Sequence, residues 1–486
     1  MNRRDLLGGA AAAAAAQEPK RPNVLILMSD QHRPDWLTCG GVNTVPTPNI
    51  DRIAAQGVRF TRAYCPYPVC APSRMSFLTG LHAHHHGVTD NRVTLDWRRR
   101  TVAHAFRDAG YVTGLAGKMH FLDGHSHGFD FRLGFNDWLM YLGPKARHFA
   151  DEIASYPGYE KLIYDTGSGL PDIDGLWPGN RSPWIGTATP KQTLASELST
   201  EDQFDSFVAR ETSKLIRRYK DQPFFLVAGF LKPHAPFHPP REFAEKFPAG
   251  RMALPSAGDL SQYPEHVRTA AARFQAMGEQ RLRMIRAGYC GNLQFVDTCI
   301  GEVYRTLEAE GLAGDTIVIY TSDHGEMAGE HGLFQKFVFF EPSAGVPLII
   351  SYPRKLPRGK VSQALVEYLG IYPTVAELAG LPSPSKIDGT SFANLARDTS
   401  LRGPDAAFAE YALSWAPRYM IRTDRYKYNF NEGDRPELYD MEADPGERRN
   451  LAGVTAHSKT VRGLHDRLTA WYDPARNPHR PAGKSK

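Results

Sequence analysis

The sequence predicts an α/β protein with a large mixed, mostly parallel sheet flanked by helices, followed by a small C-terminal antiparallel sheet with one helix. Two observations lead to this fold class. Short apolar runs that are typical of buried strands alternate with helical patterns over most of the chain. The residues after 395 carry short aromatic and β-branched stretches instead, and these favour antiparallel strands.

Five apolar runs predict buried strands of the large sheet. They are Asn23–Ser29, the weaker run Tyr111–Leu115, Phe224–Phe230, Thr316–Ser322 and Val346–Ser351. Helices are predicted between them, at about residues 48–56, 101–110, 200–219 and 294–311. Pro48 begins the first of these helices, and Gly57 marks its end. The C-terminal strands are predicted at 407–411, 418–423, 426–429 and 437–439, with a closing helix at about 457–472.

The composition is that of an ordinary globular protein. The chain has 486 residues, of which 42% are hydrophobic and 23% charged, which argues against disorder or a coiled coil. The net charge is +5, from 58 basic and 53 acidic residues, and no basic block supports nucleic-acid binding. Five cysteines without a C-x-x-C pair argue against a disulfide scaffold or a zinc site. We expect a catalytic α/β domain at 21–395 and a C-terminal α+β subdomain at 396–486.

Residues 1–20 are expected to lie outside the fold. Arg3 and Arg4 precede a Leu pair and an alanine run that ends at Ala16, and the pattern resembles a bacterial twin-arginine export signal. The alternative is a short Ala-rich helix at the mature N-terminus. Export would make the protein periplasmic or secreted. No other apolar run approaches the length of a membrane span.

Polar, reactive side chains follow four of the predicted strands. Asp30 and Gln31 follow the first strand, and Lys118 and His120 follow the run at 111–115. His234 follows the strand at 224–230, and Asp323 and His324 follow the strand at 316–322. Ligands bind outside the carboxyl ends of the strands in open parallel sheets, so we expect these four segments to meet at one active site.

Four of these residues form a candidate metal site. The side chains of Asp30, Gln31, Asp323 and His324 offer mostly oxygen ligands, which suit a hard cation such as Ca²⁺, Mg²⁺ or Mn²⁺. The alternative for any single Asp is a cap on a following turn. That alternative is weaker for the four residues together.

A second cluster surrounds Cys70. Pro72 can begin a helix, which would place Cys70 just ahead of a helix N-terminus, where free N–H groups favour an anion. Arg74 adds a fixed cation in the first turn. The pattern predicts a nucleophile beside an oxyanion site, whereas a buried structural cysteine is the alternative.

The run from Cys70 to Gly80 also carries a family resemblance. It matches the sulfatase signature C-x-P-S-R-x-x-x-L-T-G at every fixed position, and the chain resembles the formylglycine-dependent sulfatases of the alkaline phosphatase superfamily. Further similar stretches follow the family's order over essentially the whole mature chain. They are Asn23–Gln31, Pro46–Phe60, Gly117–His120, Lys232–Pro236, Asp323–Lys336 and Glu437–Leu451.

The resemblance implies a role for each matching residue. Cys70 would be oxidised by a maturation enzyme to formylglycine, whose hydrate is the nucleophile and one ligand of a single divalent cation. We expect that cation to be Ca²⁺, with Mg²⁺ or Mn²⁺ as alternatives, held by the four residues named above. Arg74 would orient the hydrate, and Lys118 and His120 would contact the nucleophile and the sulfate. His234 and Lys336 would bind sulfate oxygens and assist the leaving group.

Two positions depart from the family's commonest pattern. Gln31 stands where many members have Asp, and His324 where many have Asn, as in relatives similar to choline sulfatases and phosphonate monoester hydrolases. Hydrolysis of phosphonates or phosphodiesters is therefore the alternative function, although Ser73 argues against it. For a sulfatase, the expected substrate is a sulfated carbohydrate or a small ester such as choline sulfate. Residues 149–193 carry aromatic side chains that would either bind that substrate or pack against the core.

Overall fold

The computed structural model describes residues 21–148, 195–411 and 417–472. Within these residues, eight strands form one sheet in the order β4-β3-β5-β1-β6-β7-β2-β8. The strands are β1 (Asn23–Asp30), β2 (Gly57–Tyr64), β3 (Val112–Gly117), β4 (Phe131–Leu133), β5 (Phe224–Pro233), β6 (Thr316–Ser322), β7 (Leu348–Ser351) and β8 (Lys360–Glu367). Only β7 runs antiparallel to its neighbours, so the predicted fold class is confirmed.

Helices cover both faces of this sheet. They are α1 (Pro48–Ala55), α2 (Cys70–Thr79), α3 (Ala83–His86), α4 (Val102–Asp108), α5 (Phe135–Leu142), α6 (Lys145–His148), α7 (Phe204–Arg218), α8 (Arg241–Ala244), α9 (Glu265–Gln275), α10 (Glu279–Ala309), α11 (Glu341–Ala344), α12 (Ile371–Leu378) and α13 (Ala393–Arg397). Alternate residues of β1 divide between two cores. Leu25 and Leu27 pack with α1, α7 and α10, whereas Val24 and Ile26 pack with α2, α4 and α12.

The C-terminal residues form a second sheet of four antiparallel strands in the order β12-β11-β10-β9. The elements are β9 (Ala406–Tyr411), β10 (Arg418–Thr423), β11 (Tyr426–Asn431), β12 (Glu437–Asp440) and helix α14 (Ser458–Trp471). One face of this sheet packs on α14 through Ile421 and Leu464. The other face packs on the large sheet, where Met420 shares a core with Tyr64 of β2.

The structure differs from the predicted elements in places. β2 and β8 were not predicted, because charged or polar residues such as Arg59 and Lys360 interrupt their apolar pattern. Gly57 begins β2 rather than ending α1, and a Cβ there would lie 2.1 Å from the Ile350 carbonyl oxygen. Helix α10 begins at Glu279 rather than near residue 294, and its additional first turns are rich in charged residues.

The central strands bring the predicted site segments together. β3, β5, β1 and β6 are consecutive neighbours and all run parallel. Their carboxyl ends therefore lie side by side, and each is followed by polar residues that the sequence singled out. Among the described residues, no helix has both the length and the apolar character needed to cross a bilayer.

Gly117 links the sheet to one of these polar segments. Its φ is +98°, and a Cβ would lie 2.1 Å from the Gly229 carbonyl oxygen, which also accepts the Lys118 N–H at 2.7 Å. We expect Gly117→Ala to lower the free energy of unfolding by at least about 2 kcal/mol, measured by urea denaturation. Gly124→Ala is the control, because a Cβ at Gly124 meets nothing within 4 Å. Equal urea midpoints for the two variants would contradict the prediction.

Candidate active site

Cys70 lies at the start of α2, facing the ends of the central strands. The helix begins at Cys70 itself, after the extended residue Val69, so Cys70 is in the first turn and not ahead of it. Pro72 is the third helical residue, where its missing N–H costs nothing. The Ala71 N–H donates to Asn91 Oδ1 at 2.9 Å, and Ser73 Oγ donates to the Asp323 carbonyl at 2.5 Å. These contacts fix helix α2 against the strand ends.

Three of the four predicted metal-binding side chains gather around the Cys70 sulfur. Ligand atoms of Asp30, Cys70, Asp323 and His324 all lie within 4.8 Å of one another, and all four residues are buried. His324 Nε2 lies 3.2 Å from Cys70 Sγ and 3.6 Å from Asp323 Oδ1. Two carboxylates and one imidazole in a buried cluster could hold a divalent cation.

Arg74 joins the two carboxylates. Its Nε donates to Asp323 Oδ2 at 2.8 Å, and its terminal nitrogen donates to Asp30 Oδ2 at 3.1 Å. A further guanidinium N–H donates to the Lys118 carbonyl. The side chains of Arg74, Asp30 and Asp323 are fully buried, so the positive charge of Arg74 is needed to neutralise the two carboxylates, and they in turn neutralise Arg74. Burial alone would raise the pKa of Asp30, but the charges of Lys118, His234 and Arg74 hold it well below its usual range.

Cations also surround the sulfur atom. Lys336 Nζ lies 3.0 Å and Lys118 Nζ 3.8 Å from Cys70 Sγ, and Lys118 is also paired with Asp30. Burial raises the pKa of the Cys70 thiol, but Lys118, Lys336 and His324 outweigh it and hold that pKa well below its usual value. The cluster therefore favours an anionic group at this position.

Gln31, the fourth predicted metal ligand, is oriented by charged neighbours on both sides. Its Oε1 accepts a hydrogen bond from Lys336 Nζ at 2.8 Å, and its Nε2 donates to the Glu326 carboxylate. Glu326 also accepts the N–H groups of Ala328 and Gln335. The Gln31 amide oxygen therefore faces the same lysine that contacts Cys70. The role of Glu326 in orienting Gln31 was not predicted from the sequence.

Two histidines complete the cluster around residue 70. His120, which has φ +69°, follows β3, and His234 follows β5. Both imidazoles interact with the Cys70 side chain. Burial lowers the pKa of both imidazoles, which favours their neutral forms.

The loop that carries His234 is held by side chains that the sequence analysis did not identify. Asn292 of α10 donates through Nδ2 to the carbonyls of Pro233, His234 and Pro236, at 3.0 to 3.4 Å. Lys232 Nζ donates to the Pro236 carbonyl at 2.7 Å. An Asn on a helix far along the chain carries no local signal of such a contact.

The described structure thus brings together every residue predicted for catalysis or metal binding. The remaining cysteines, at 39, 65, 290 and 299, are free thiols. The predicted export signal and the whole aromatic segment at 149–193 lie outside the described residues. The donor set is rich in oxygen and carries two charged carboxylates, so it fits a hard divalent cation. Beside it, the lysines, arginine and histidines can neutralise a tetrahedral anion and transfer protons.

Two family models match the chain. The model described as Sulfatase matches residues 22–381, and the model described as N-sulphoglucosamine sulphohydrolase, C-terminal, matches residues 329–473.

Individual relatives match at low identity over most of their length. A choline-sulfatase of Rhizobium meliloti is 30% identical over 89% of this chain and 82% of its own. An arylsulfatase of Clostridium perfringens is 28% identical over 91% of this chain and 92% of its own. Among solved structures, a phosphonate monoester hydrolase of Agrobacterium radiobacter has a TM-score of 0.73 and 26% identity, over 93% of this chain and 95% of its own.

The contacts of Gln31 generate a prediction about metal binding. In Glu326→Gln, an amide nitrogen replaces the carboxylate oxygen that accepts the Gln31 N–H. Two amide nitrogens would then face each other, so we expect the Gln31 amide to flip and to turn its nitrogen towards the cluster. We expect the affinity for Ca²⁺, measured by isothermal titration calorimetry, to fall by about 10- to 100-fold.

The matched control is Glu330→Gln. Glu330 lies on the same loop and pairs with Arg448 at 2.7 Å. We expect this variant to bind Ca²⁺ as the unchanged protein does. Equal affinities for the two variants would show that Glu326 does not orient a metal ligand.

Proposed function

The chain belongs to the sulfatase family and is a sulfuric ester hydrolase, and we propose that it works through a formylglycine formed from Cys70. The resemblance of the signature motif supports this modification, which a maturation enzyme would carry out. In the structure, the Cys70 sulfur stands where the oxygens of the formylglycine hydrate would be.

One observation carries the proposal. Cys70 Sγ lies within 4 Å of Lys336, Lys118 and His324, and Arg74 lies one helical turn away. A sulfate ester is an anion that repels nucleophiles, so these cations are needed to bring it to the attacking oxygen and to stabilise the transition state. A structural cysteine would have no need of so many charged neighbours.

The residues around the hydrate fit the first half of the reaction. A divalent cation held by Asp30, Gln31, Asp323 and His324, with Ca²⁺ the best fit, would lower the pKa of the attacking hydroxyl. The hydrate oxygen bonds to the sulfur of the ester while the bond from sulfur to the alcohol oxygen breaks. His234 or Lys336 donates the proton that the departing alkoxide takes up.

The second half restores the aldehyde. The hydrate keeps a second hydroxyl, and removal of its proton lets the carbonyl form as the carbon–oxygen bond to sulfate breaks. His120 is suited to accept that proton, because it is buried and its lowered pKa favours the neutral imidazole. Water then adds to the aldehyde and regenerates the hydrate.

Two classes of substrate fit the proposed reaction. Sulfated carbohydrates and small esters such as choline sulfate both remain candidates, since one relative is named choline-sulfatase and one family model is named for an N-sulphoglucosamine sulphohydrolase. Export to the periplasm or the medium, which we also propose, would place the enzyme among such substrates.

Hydrolysis of phosphonates or phosphodiesters is the second candidate. The fold match to a phosphonate monoester hydrolase favours it, as do Gln31 and His324. Ser73, the serine of the sulfatase signature C-x-P-S-R, argues for the sulfatase reaction as the main one.

The modification of Cys70 can be measured directly. We expect the tryptic peptide 63–74 of protein from its native host to carry the aldehyde at Cys70 and an intact thiol at Cys65. Burial raises the pKa of the Cys65 thiol, which leaves it unreactive. We also expect Cys70→Ala to abolish sulfate ester hydrolysis, whereas Cys65→Ala retains it. Normal turnover in Cys70→Ala would exclude the mechanism.

The two candidate reactions can be separated with one leaving group. We expect kcat/KM for 4-nitrophenyl sulfate to exceed that for 4-nitrophenyl phenylphosphonate with the same matured, Ca²⁺-loaded sample. The reverse order would assign the protein to phosphonate hydrolysis. Removal of the cation by a chelator should reduce both activities, because the same carboxylates serve both reactions.

A further inference from the structure

Three cations project from the face of the C-terminal sheet that is turned towards the catalytic domain. Arg418 and Arg422 lie on β10 four residues apart, and Arg422 pairs with Lys427 of β11 in the antiparallel ladder. Alternation places all three on one face. Met420 lies between the arginines on that face and packs against Tyr64 of β2.

Two of these cations are neutralised by carboxylates. Lys427 Nζ lies 2.6 Å from Glu341 Oε1 and 2.8 Å from Glu447 Oε1. Arg422 Nε donates to the Tyr64 hydroxyl at 3.0 Å and lies 3.7 Å from Glu341. These contacts attach the sheet to the catalytic domain and account for both charges.

Arg418 is not neutralised in this way. No carboxylate of the described residues lies within 4.0 Å of its guanidinium, which stacks on the Tyr411 ring at 4.1 Å. The nearby carboxylate of Glu437 accepts hydrogen bonds from Tyr439 and Asn431 instead. A stacked guanidinium keeps its N–H edge available for a planar or tetrahedral anion.

Aromatic side chains connect Arg418 to the cluster around Cys70. Lys336 Nζ, 3.0 Å from Cys70 Sγ, lies 5.9 Å from the Phe337 ring, which is 6.2 Å from the Tyr411 ring. On another side, the Tyr411 ring lies 5.7 Å from that of Tyr67, three residues before Cys70 in the sequence. Two separate series of contacts therefore connect Tyr411, with Arg418 stacked on it, to the residues around Cys70.

The backbone at Lys336 is held in an unusual conformation. Gln335 has φ +68° and Phe337 has φ +81°, a region that side chains larger than glycine seldom adopt. Such residues concentrate at active sites. The conformation directs a partly exposed aromatic ring into the space between Lys336 and Tyr411.

We propose that Arg418, together with the rings of Tyr411 and Phe337, binds a second anionic group on the alcohol part of the sulfate ester. The group is a carboxylate or a sulfo group, as on a sulfated uronic acid or a multiply sulfated sugar. The inference rests on the proposed function, because it concerns the leaving group of a sulfate ester. It disfavours choline sulfate, whose quaternary ammonium an arginine repels.

A series of aryl sulfates that differ in charge tests this subsite. The series is phenyl sulfate, 3-carboxyphenyl sulfate, 3-sulfophenyl sulfate and 3-(trimethylammonio)phenyl sulfate. We would measure kcat and KM for the unchanged protein, for Arg418→Met and Arg418→Lys, and for the control Arg467→Met. Arg467 lies on α14 and pairs with Asp405 at 3.0 Å. Each value of kcat/KM is divided by that for phenyl sulfate, which cancels general losses in activity.

We expect Arg418→Met to lower the relative kcat/KM for the anionic esters by about 10- to 100-fold, mostly through KM, because a charged hydrogen bond is lost. Its relative value for the cationic ester should rise. Arg418→Lys should recover part of the loss, and Arg467→Met should leave the ratios unchanged. The carboxylate and sulfo compounds show which anion the subsite prefers.

Equal effects of Arg418→Met on all four esters would overturn the inference, and so would a preference of the unchanged protein for the cationic ester. A matured, Ca²⁺-loaded protein that hydrolyses none of the four would overturn the proposed function, and this inference with it. Thermal melting of each variant shows that the comparison is made between folded proteins.

Discussion

The buried Arg74 guanidinium is the contact on which the site's geometry most depends. Two carboxylates at the ends of neighbouring strands would repel each other in a dry environment, and Arg74 pairs with both. Because Arg74 lies four residues after Cys70 in α2, the two side chains share one face of the helix. The pairing with Asp30 and Asp323 therefore sets the position of Cys70 relative to the sheet.

The same logic explains where the negative charge of the cluster lies. Gln31 contributes an amide where many relatives have a carboxylate, yet the Glu326 carboxylate lies directly behind it and accepts its N–H. A carboxyl group is thus retained one layer further from the cluster. This arrangement positions the Lys336 side chain, since its ammonium group contacts both the Gln31 oxygen and the Cys70 sulfur. An anionic ester would meet a cluster whose cations are held in place before it binds.

The sequence predicted the central part of the sheet well, for a physical reason. β1, β5 and β6 are buried on both faces, so their apolar runs are continuous and end abruptly at Asp30, Lys232 and Asp323. Peripheral strands such as β2 have mixed exposure and give no such signal. Asn292 could not be predicted either, because its role depends on a contact between distant segments. Lys336 was identified only through the family resemblance, since it follows no predicted strand.

The C-terminal sheet contributes to the site through the segment that joins Lys336 to α11. Lys336 contacts Cys70, and five residues later Glu341 pairs with Lys427 of β11. Lys427 also donates to the Phe339 carbonyl at 2.9 Å, so the segment is fastened at its middle and its end. Phe337 lies within this fastened segment and its ring is near that of Tyr411 of β9. The positions of Lys336 and Phe337 beside Cys70 therefore depend on the packing of the C-terminal sheet. A rotation of that sheet would move Arg418 and Lys336 relative to Cys70.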